Sequence, residues 1–419
     1  MAGRVFLLLL ILGVAARGAE MDPKEEPEFK ARVNAAIEKG LAWLLARQNA
    51  IGRFPAFEDA RGDIYPLGMH ALATLALLKG GHDIDSREMR TALAALFKLV
   101  EEQQYTLKTY EVGLALMVLE AKATFQPAKE RDKKGKPPKP RPDGQDLEVA
   151  RRLASWLQTK QQAGGLWRYP EDGVDLSNTQ YAILGLWAAH RIGVAVDKGV
   201  VRRCVEGTLA RQQATGPEVE RVVKSSDPRY GRWMRTGIKD RARGWRYMPD
   251  FEKQIDGGAV ERVTYPYSGS MTTAGIAVMA IGREILGKDF WLTPERDREL
   301  RQGLYDGFAW IDKNWDIEDN PGQPGNWPFY WLYGLERAAR LAALENVGPR
   351  DWYLEGAGRL MADQREDGSW PRKQRMRPPK DANVRWWSDQ VDTAFAILFL
   401  LRTTPELKIP APVVTPDGE

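Results

Sequence analysis

The sequence predicts an all-α protein, an α/α toroid of about six helical hairpins, on three observations. Segments rich in helix formers fill most of the 419 residues, while strand-like alternation is scarce. The helical segments are of two kinds that alternate strictly along the chain. One short phrase, Gln-x3-Gly-x-aromatic, also recurs at distant places: "QNAIGRF" from Gln48, "QQAGGLW" from Gln161 and "QREDGSW" from Gln364.

The first kind of helix is amphipathic: "PEFKARVNAAIEKGLAWLLARQ", "DSREMRTALAALFKLVEEQ", "DLEVARRLASWLQTKQ", "DKGVVRRCVEGTLARQQ", "TPERDRELRQGLYDGFAWIDKN" and "RDWYLEGAGRLMADQ". Asp197 and Thr293, the latter before Pro294, read as N-caps. The second kind is apolar nearly all round and rich in small residues: "YPLGMHALATLALL", "YEVGLALMVLEA", "NTQYAILGLWAAH", "MTTAGIAVMAIG", "FYWLYGLERAARLAAL" and "VDTAFAILFLL". A helix with no polar face must be buried on several sides. Closing the alternation into a double ring puts the apolar helices inside and the amphipathic ones outside.

The recurring phrase falls where an outer helix stops and the chain turns to the next inner one. Glycine supplies a left-handed turn, Gln bonds exposed backbone groups, and the aromatic packs across to the next hairpin. Other copies are altered. Gln212 and Gly216 begin a fourth, followed by a long insert at about 214–267 that contains "GWRYMP", an echo of "LWRYP" from Leu166. A fifth is split between Trp310 and the "GNW" ending at Trp327, and the second hairpin has only "EQQYT". A basic, Pro-rich insert at about 126–145 reads as a solvated loop, and the Pro-rich tail at 404–419 as disordered.

Residues 1–18, with Arg4 before the run from Val5 to Ala16 and the small-x-small site Ala16-Arg17-Gly18, read as a secretory signal peptide. A linker at 19–29 and one toroid domain at 30–403 follow, so the expected location is exported, periplasmic or secreted. No later segment is apolar for long enough to span a bilayer. Without Arg4 and Arg17 the balance is 59 basic to 57 acidic residues, which points away from nucleic acid as a partner. Cys204 is the only cysteine, which excludes an internal disulfide and a Cys-based zinc site. No metal and no cofactor are expected.

The Gln-x3-Gly-x-Trp phrase, preceded by "WLLARQ" and "WLQTKQ", resembles the QW repeat of squalene and oxidosqualene cyclases, and more widely the prenyltransferase/squalene-cyclase superfamily of α/α toroids. The resemblance covers about residues 30–403. It implies the fold more than any reaction, since a repeat motif persists in proteins with different sites. Class II cyclases of that family protonate substrate with a DxDD motif. The matching stretch is "DQVDTA", where Asp389 and Asp392 hold the outer places and Val391 stands where the proton donor belongs. Asp392 reads equally as a helix N-cap. The zinc-binding Asp-x-Cys of protein prenyltransferases meets Asp175 and Ser177, and of the three histidines only His70 lies near an inner helix start. The Gly-Cys-Gly-Glu-Gln stretch of thioester toroids is absent. The phrasing of "SNTQYAILGL" and "YWLYGLERA" is similar to an exported bacterial branch of the superfamily with no assigned reaction.

In such a ring all inner helices start at one mouth, where their dipoles favour negative charge. Tyr65, Tyr110, Asp175, Asn178, Tyr181, Tyr267, Ser270, Thr272, Trp327, Tyr330, Tyr333, Asp389 and Asp392 are placed there. Tyrosines, tryptophans and a few carboxylates suit a small molecule, lipid or glycan with apolar faces and hydroxyls. They equally suit a packed ring with capping side chains. Three classes of function follow. The leading one is a binding or scaffold toroid with an aromatic-lined central cavity and no complete known catalytic motif. The others are a divergent class II terpene cyclase using Asp389 and Asp392, and a carbohydrate-active toroid with Asp175 and Asp392 as its acid and base.

Overall fold

The computed structural model describes residues 22–58, 64–127, 139–169, 173–224, 233–254, 260–288, 290–370 and 389–407. The segment read as a signal peptide, the core of the basic insert and most of the tail lie outside these residues. Among the described residues twelve α-helices alternate between two layers. The outer ones are α1 (Pro27–Leu45), α3 (Arg87–Glu102), α5 (Gly144–Lys160), α7 (Lys198–Leu209), α9 (Pro294–Lys313) and α11 (Trp352–Asp363). The inner ones are α2 (Pro66–Lys79), α4 (Thr109–Ala123), α6 (Leu176–Arg191), α8 (Gly269–Leu286), α10 (Pro328–Leu341) and α12 (Asp389–Leu401).

Each inner helix packs on the next, α2 on α4, α4 on α6, and so on to α10 on α12. Helix α12 then packs back on α2, which closes the ring. Burial follows the layers. Every residue from Leu67 to Leu78 in α2 is buried, whereas α3 buries one stripe of Met89, Ala92, Leu93, Ala95, Leu96, Leu99 and Val100. Asp197 and Thr293 are N-caps, accepting from the Gly199 and Arg296 amides. At the seam, Lys24 pairs with Asp351 and Glu345 at 3.0 and 3.1 Å, tying the start of the described chain to α11.

The repeated phrase fastens each hairpin to the next. Gln161 Nε2 donates to Gly165 O of its own turn (2.8 Å) and to Val200 O of α7 (2.9 Å). Gln48 makes the same pair of bonds to Gly52 O and Glu88 O, and Gln364 to Gly368 O and Ala36 O. Gln212 reaches Arg243 O and Gly303 O, so this clasp closes across an insert. The aromatic indoles complete it. Trp167, Trp245 and Trp370 are buried, each giving Nε1–H to the outer helix before it, and each donating its backbone amide to a threonine hydroxyl, that of Thr179, Thr272 and Thr393. In the first hairpin His70 takes the threonine's place, with Nδ1 at 3.5 Å from the Phe54 amide and Nε2 at 2.8 Å from Ala92 O. Burial pushes its pKa down to about 4, so it stays neutral. Gly165 has φ +83, and a Cβ there would stand 2.0 Å from Arg203 O. Left-handed backbone and close approach to α7 both demand glycine.

The insert read at 214–267 carries strands that the sequence reading did not place. β5 (Glu218–Lys224) pairs antiparallel with β6 (Trp233–Arg241), and β7 (Phe251–Gln254) with β8 (Val260–Val263); four two-residue strands, β1 (Phe57–Glu58) to β4 (Val174–Asp175), link clasps to inner helices. The β5–β6 hairpin lies on α9, where the Asp306 carboxylate accepts from the Arg241 amide and pairs with Arg243. Its alternation was masked by charge, because both faces carry Arg, Lys or Glu. Among the described residues, no helix is long and apolar enough to cross a membrane.

Candidate functional site

The first turns of all six inner helices surround a cavity of about 970 Å³. Five helices contribute side chains about one turn apart: Tyr65 and Met69 at α2, Tyr110 and Leu114 on α4, Ser177 and Tyr181 on α6, Trp327 and Tyr330 at α10, Val391 and Phe395 on α12; α8 contributes the neighbours Ser270 and Met271. Residues three or four apart share a helix face, so those five helices each present a narrow stripe to the centre.

The tyrosines form a continuous chain of ring contacts. Tyr65, Tyr110 and Tyr169 meet pairwise at 5.6–6.4 Å, Tyr110 meets Tyr181 at 6.2 Å, and Tyr181 stacks on Tyr330 at 6.3 Å. The Tyr330 hydroxyl donates to Gln180 Oε1 (2.8 Å) and lies 3.2 Å from Ser177 Oγ. Burial drives the Tyr110, Tyr169 and Tyr330 phenols above their ordinary range, so they stay neutral. Trp327 holds φ 61 and ψ 47, a left-handed conformation that costs a bulky residue about 1–3 kcal/mol. The preceding loop holds it there. Asn320 joins Ser270 to Asn326 O, and Asp319 accepts from the Gly325 amide.

The long insert closes over this mouth. Tyr247, Met248, Pro249, Asp250, Phe251 and Tyr265 line the cavity from it, and the Tyr247 carbonyl accepts from the Leu176 amide at the start of α6. None of these six was placed in the site from sequence, nor was Tyr169. A signal was present: "LWRYP" and "GWRYMP" put Tyr169 and Tyr247 at the same place in two repeats.

Of the residues placed at the mouth from sequence, Tyr65, Tyr110, Tyr181, Ser270, Trp327 and Tyr330 stand in the cavity wall. Tyr333 is one turn deeper, stacked on Phe395 at 5.6 Å, and Tyr267 lies beneath the Arg246 guanidinium at 4.3 Å. Thr272 belongs to the clasp. Asp175 caps α6, accepting from the Asn178 amide (2.7 Å) and the Asn178 side chain (2.8 Å), so both residues are turned to the helix start. Asp392 is buried in the first turn of α12, and Asp389 pairs outward with Arg365 at 2.5 Å. Between them, Val391 faces the cavity.

Among the described lining residues Asp250 alone carries a carboxylate. Arg262 and Arg246 hydrogen-bond it at 2.9 and 2.7 Å, and Arg262 foremost holds it below the usual carboxylate range. Behind the Tyr65–Tyr110 wall, Glu111 accepts from the Gly68 amide at 2.8 Å, and burial pushes its carboxyl up to about 7. No group of His, Cys, Asp and Glu among the described residues is arranged to hold a metal ion.

Ring closure, alternating layers and a cavity at the inner N-termini define an α/α toroid. Solved toroids agree with that class. The chain is similar to a variant of the type II terpene cyclase MstE from Scytonema in complex with geranylgeranyl dihydroxybenzoate, at 12% identity over 90% of this chain and 97% of that one (TM-score 0.50). It is similar to the GH76A α-1,6-mannanase from Salegentibacter sp. HEL1_6, at 10% identity over 88% and 98% of the two chains (TM-score 0.52). An inactive variant of that mannanase, in complex with α-1,6-mannotriose, matches at 9% identity over the same shares (TM-score 0.52). At such identities the likeness is one of fold. No protein-family model and no curated protein sequence matches the chain.

Proposed function

We propose that this chain is an exported binding toroid whose tyrosine-lined cavity takes up an apolar, isoprenoid-sized molecule with a polar end and does not transform it. Export rests on the N-terminal segment alone. One observation carries the binding reading: a cavity of about 970 Å³ has, among its described lining residues, a single carboxylate, and two arginines keep that carboxylate ionised. Protonating an alkene needs a strong acid that is itself protonated and faces the substrate. Asp250 is held in the opposite state, and Val391 occupies the cavity-facing place between Asp389 and Asp392. Cleaving a glycosidic bond needs two carboxylates flanking the sugar, whereas Asp175 is engaged in capping α6. Tyrosine and tryptophan faces with a few hydroxyls instead suit a ligand that is mostly apolar.

The structural neighbours suggest the alternative occupants, since one is in complex with a geranylgeranyl compound and another with a mannotriose. The test is titration of the protein with geranylgeraniol, following tryptophan fluorescence and then analysing the extracted ligand by gas chromatography–mass spectrometry. Saturable binding with the alcohol recovered unchanged is expected, with affinity falling at least about tenfold in Tyr330→Ala. A cyclised product would replace this reading with a divergent cyclase. Binding or cleavage of α-mannan oligosaccharides, with no binding of the alcohol, would replace it with a carbohydrate-active toroid.

A further inference from the structure

At the opposite end of the ring a second pocket of about 40 Å³ lies where the inner helices finish. Its wall includes Lys79 of α2, Glu120 of α4, Arg191 of α6 and Arg337 of α10, with Thr403 to Pro405 across the outside. Glu120 is shared by two cations, Lys79 at 3.0 Å and Arg191 at 2.8 Å. Arg337 is 1% exposed, none of its three guanidinium nitrogens makes a well-aligned hydrogen bond among the described residues, and the Tyr181 and Tyr333 hydroxyls near it offer only neutral acceptors. The rings of Tyr333 and Tyr181 flank it at 4.1 and 5.5 Å, which softens the burial of a cation without neutralising it. Its sequence neighbour Glu336 turns elsewhere, accepting from the amide and hydroxyl of Thr404 at 3.2 and 2.7 Å.

A guanidinium does not escape burial by losing its proton, and a buried charge calls for a counter-charge with hydrogen-bonding capacity. Three cations face one carboxylate here. The carbonyl ends of α2 and α6 offset part of the charge on Lys79 and Arg191, so Arg337 is the cation left to satisfy. Water would fill its donors but leave the charge. The space admits a monatomic ion with a water molecule or two and is too small for a phosphate or a sugar acid.

We infer that this pocket is a binding site for one small monovalent anion of chloride type, held by the Arg337 guanidinium with Lys79 and Arg191 supplying the surrounding field. The inference does not depend on what occupies the tyrosine cavity. Crystals of the protein soaked in sodium bromide, measured at the bromine absorption edge, test it. An anomalous peak against the Arg337 guanidinium is expected. No peak there, or a protein carboxylate occupying the place, would overturn it. In solution, the midpoint of thermal unfolding should be higher by roughly 1–3 °C in excess chloride than in gluconate of equal ionic strength. That difference should vanish in Arg337→Gln. Equal midpoints for the wild type would overturn the inference as a property of the protein in solution, leaving binding at crystal concentration only. Because both wild-type measurements stand without the variant, a failure of Arg337→Gln to fold does not rescue the idea.

Discussion

Where the inner helices begin, the ring holds about 970 Å³ walled by tyrosines and a tryptophan; where they end, about 40 Å³ is bordered by three cations and a carboxylate. The same six helices make both ends. Between them the helices are buried all round and pack directly on one another, so only their ends can differ. At the starting end, clasps and the long insert add bulky side chains above the first turns and keep the helices from filling the centre. At the finishing end most connections are short, the basic insert between α4 and α5 excepted, and Thr404 reaches back to Glu336. The lesson is that in a toroid the helices supply the frame and the connections decide which mouth becomes a ligand site.

Four predictions probe that contrast, from the largest effect to the smallest. Gly165→Ala, at a clasp on the cavity end, should cost about 3 kcal/mol or more in urea unfolding, since φ +83 and contact with Arg203 O act together. Gly193→Ala has φ +91 but nothing within 4 Å. It lies just past the end of α6, at the finishing end, and should cost only about 1 kcal/mol. Equal losses would mean that the close approach at the clasp contributes nothing.

The second prediction concerns the finishing end. Burial pushes the Glu336 carboxyl up to about 7, above its ordinary 4.5, so the folded chain holds this proton more tightly than the unfolded one. The contribution is therefore fully present below the ordinary carboxyl range and is lost as pH rises towards about 7. Relative to wild type, Glu336→Gln should gain about 3 kcal/mol on going from acidic to slightly alkaline conditions. Glu111 and His70 titrate in both proteins, so the difference between the two pH profiles isolates Glu336. A flat difference would contradict the burial argument.

Third, Gln161→Ala removes the hydrogen bonds to the carbonyls of Gly165 and Val200 and should lower stability by about 1–3 kcal/mol. Gln212→Ala should cost a similar amount despite the insert inside its clasp; a negligible loss would show that the insert, and not the glutamine, holds that junction. Last, Asp389→Asn removes a half-exposed ion pair with Arg365. It should change stability by no more than about 1 kcal/mol and leave ligand affinity unaltered, whereas lost affinity would place Asp389 in the site.

Much of the fold was legible because the burial pattern is written in the sequence. Helices such as α2 and α12, apolar on every side, admit no surface position, and their alternation with charged helices leaves few arrangements other than two rings. The clasp was legible through Gln161, Gly165 and Trp167, since each is needed for a separate physical reason. The β5–β6 hairpin was not. Its strands are stabilised by cross-strand ion pairs such as Arg235–Glu220 and by contact with α9, neither of which leaves a periodic apolar trace. At the site, helix-start positions such as Tyr110, Tyr181 and Tyr330 could be placed by counting from the clasp. Residues brought by the insert, including Tyr247, Asp250 and Phe251, depend on how that loop folds over the mouth. Arg337 escaped notice because a cation within a largely apolar helix looks like a surface position until the ring is closed around it.

Native mass spectrometry of the protein purified from its own host, followed by extraction and identification of what it carries, tests the central claim most directly. The account predicts a co-purifying apolar molecule of isoprenoid size, bound one to one, unchanged on prolonged incubation and lost from Tyr330→Ala. A cavity that carries a sugar, or that converts the molecule it carries, would contradict it.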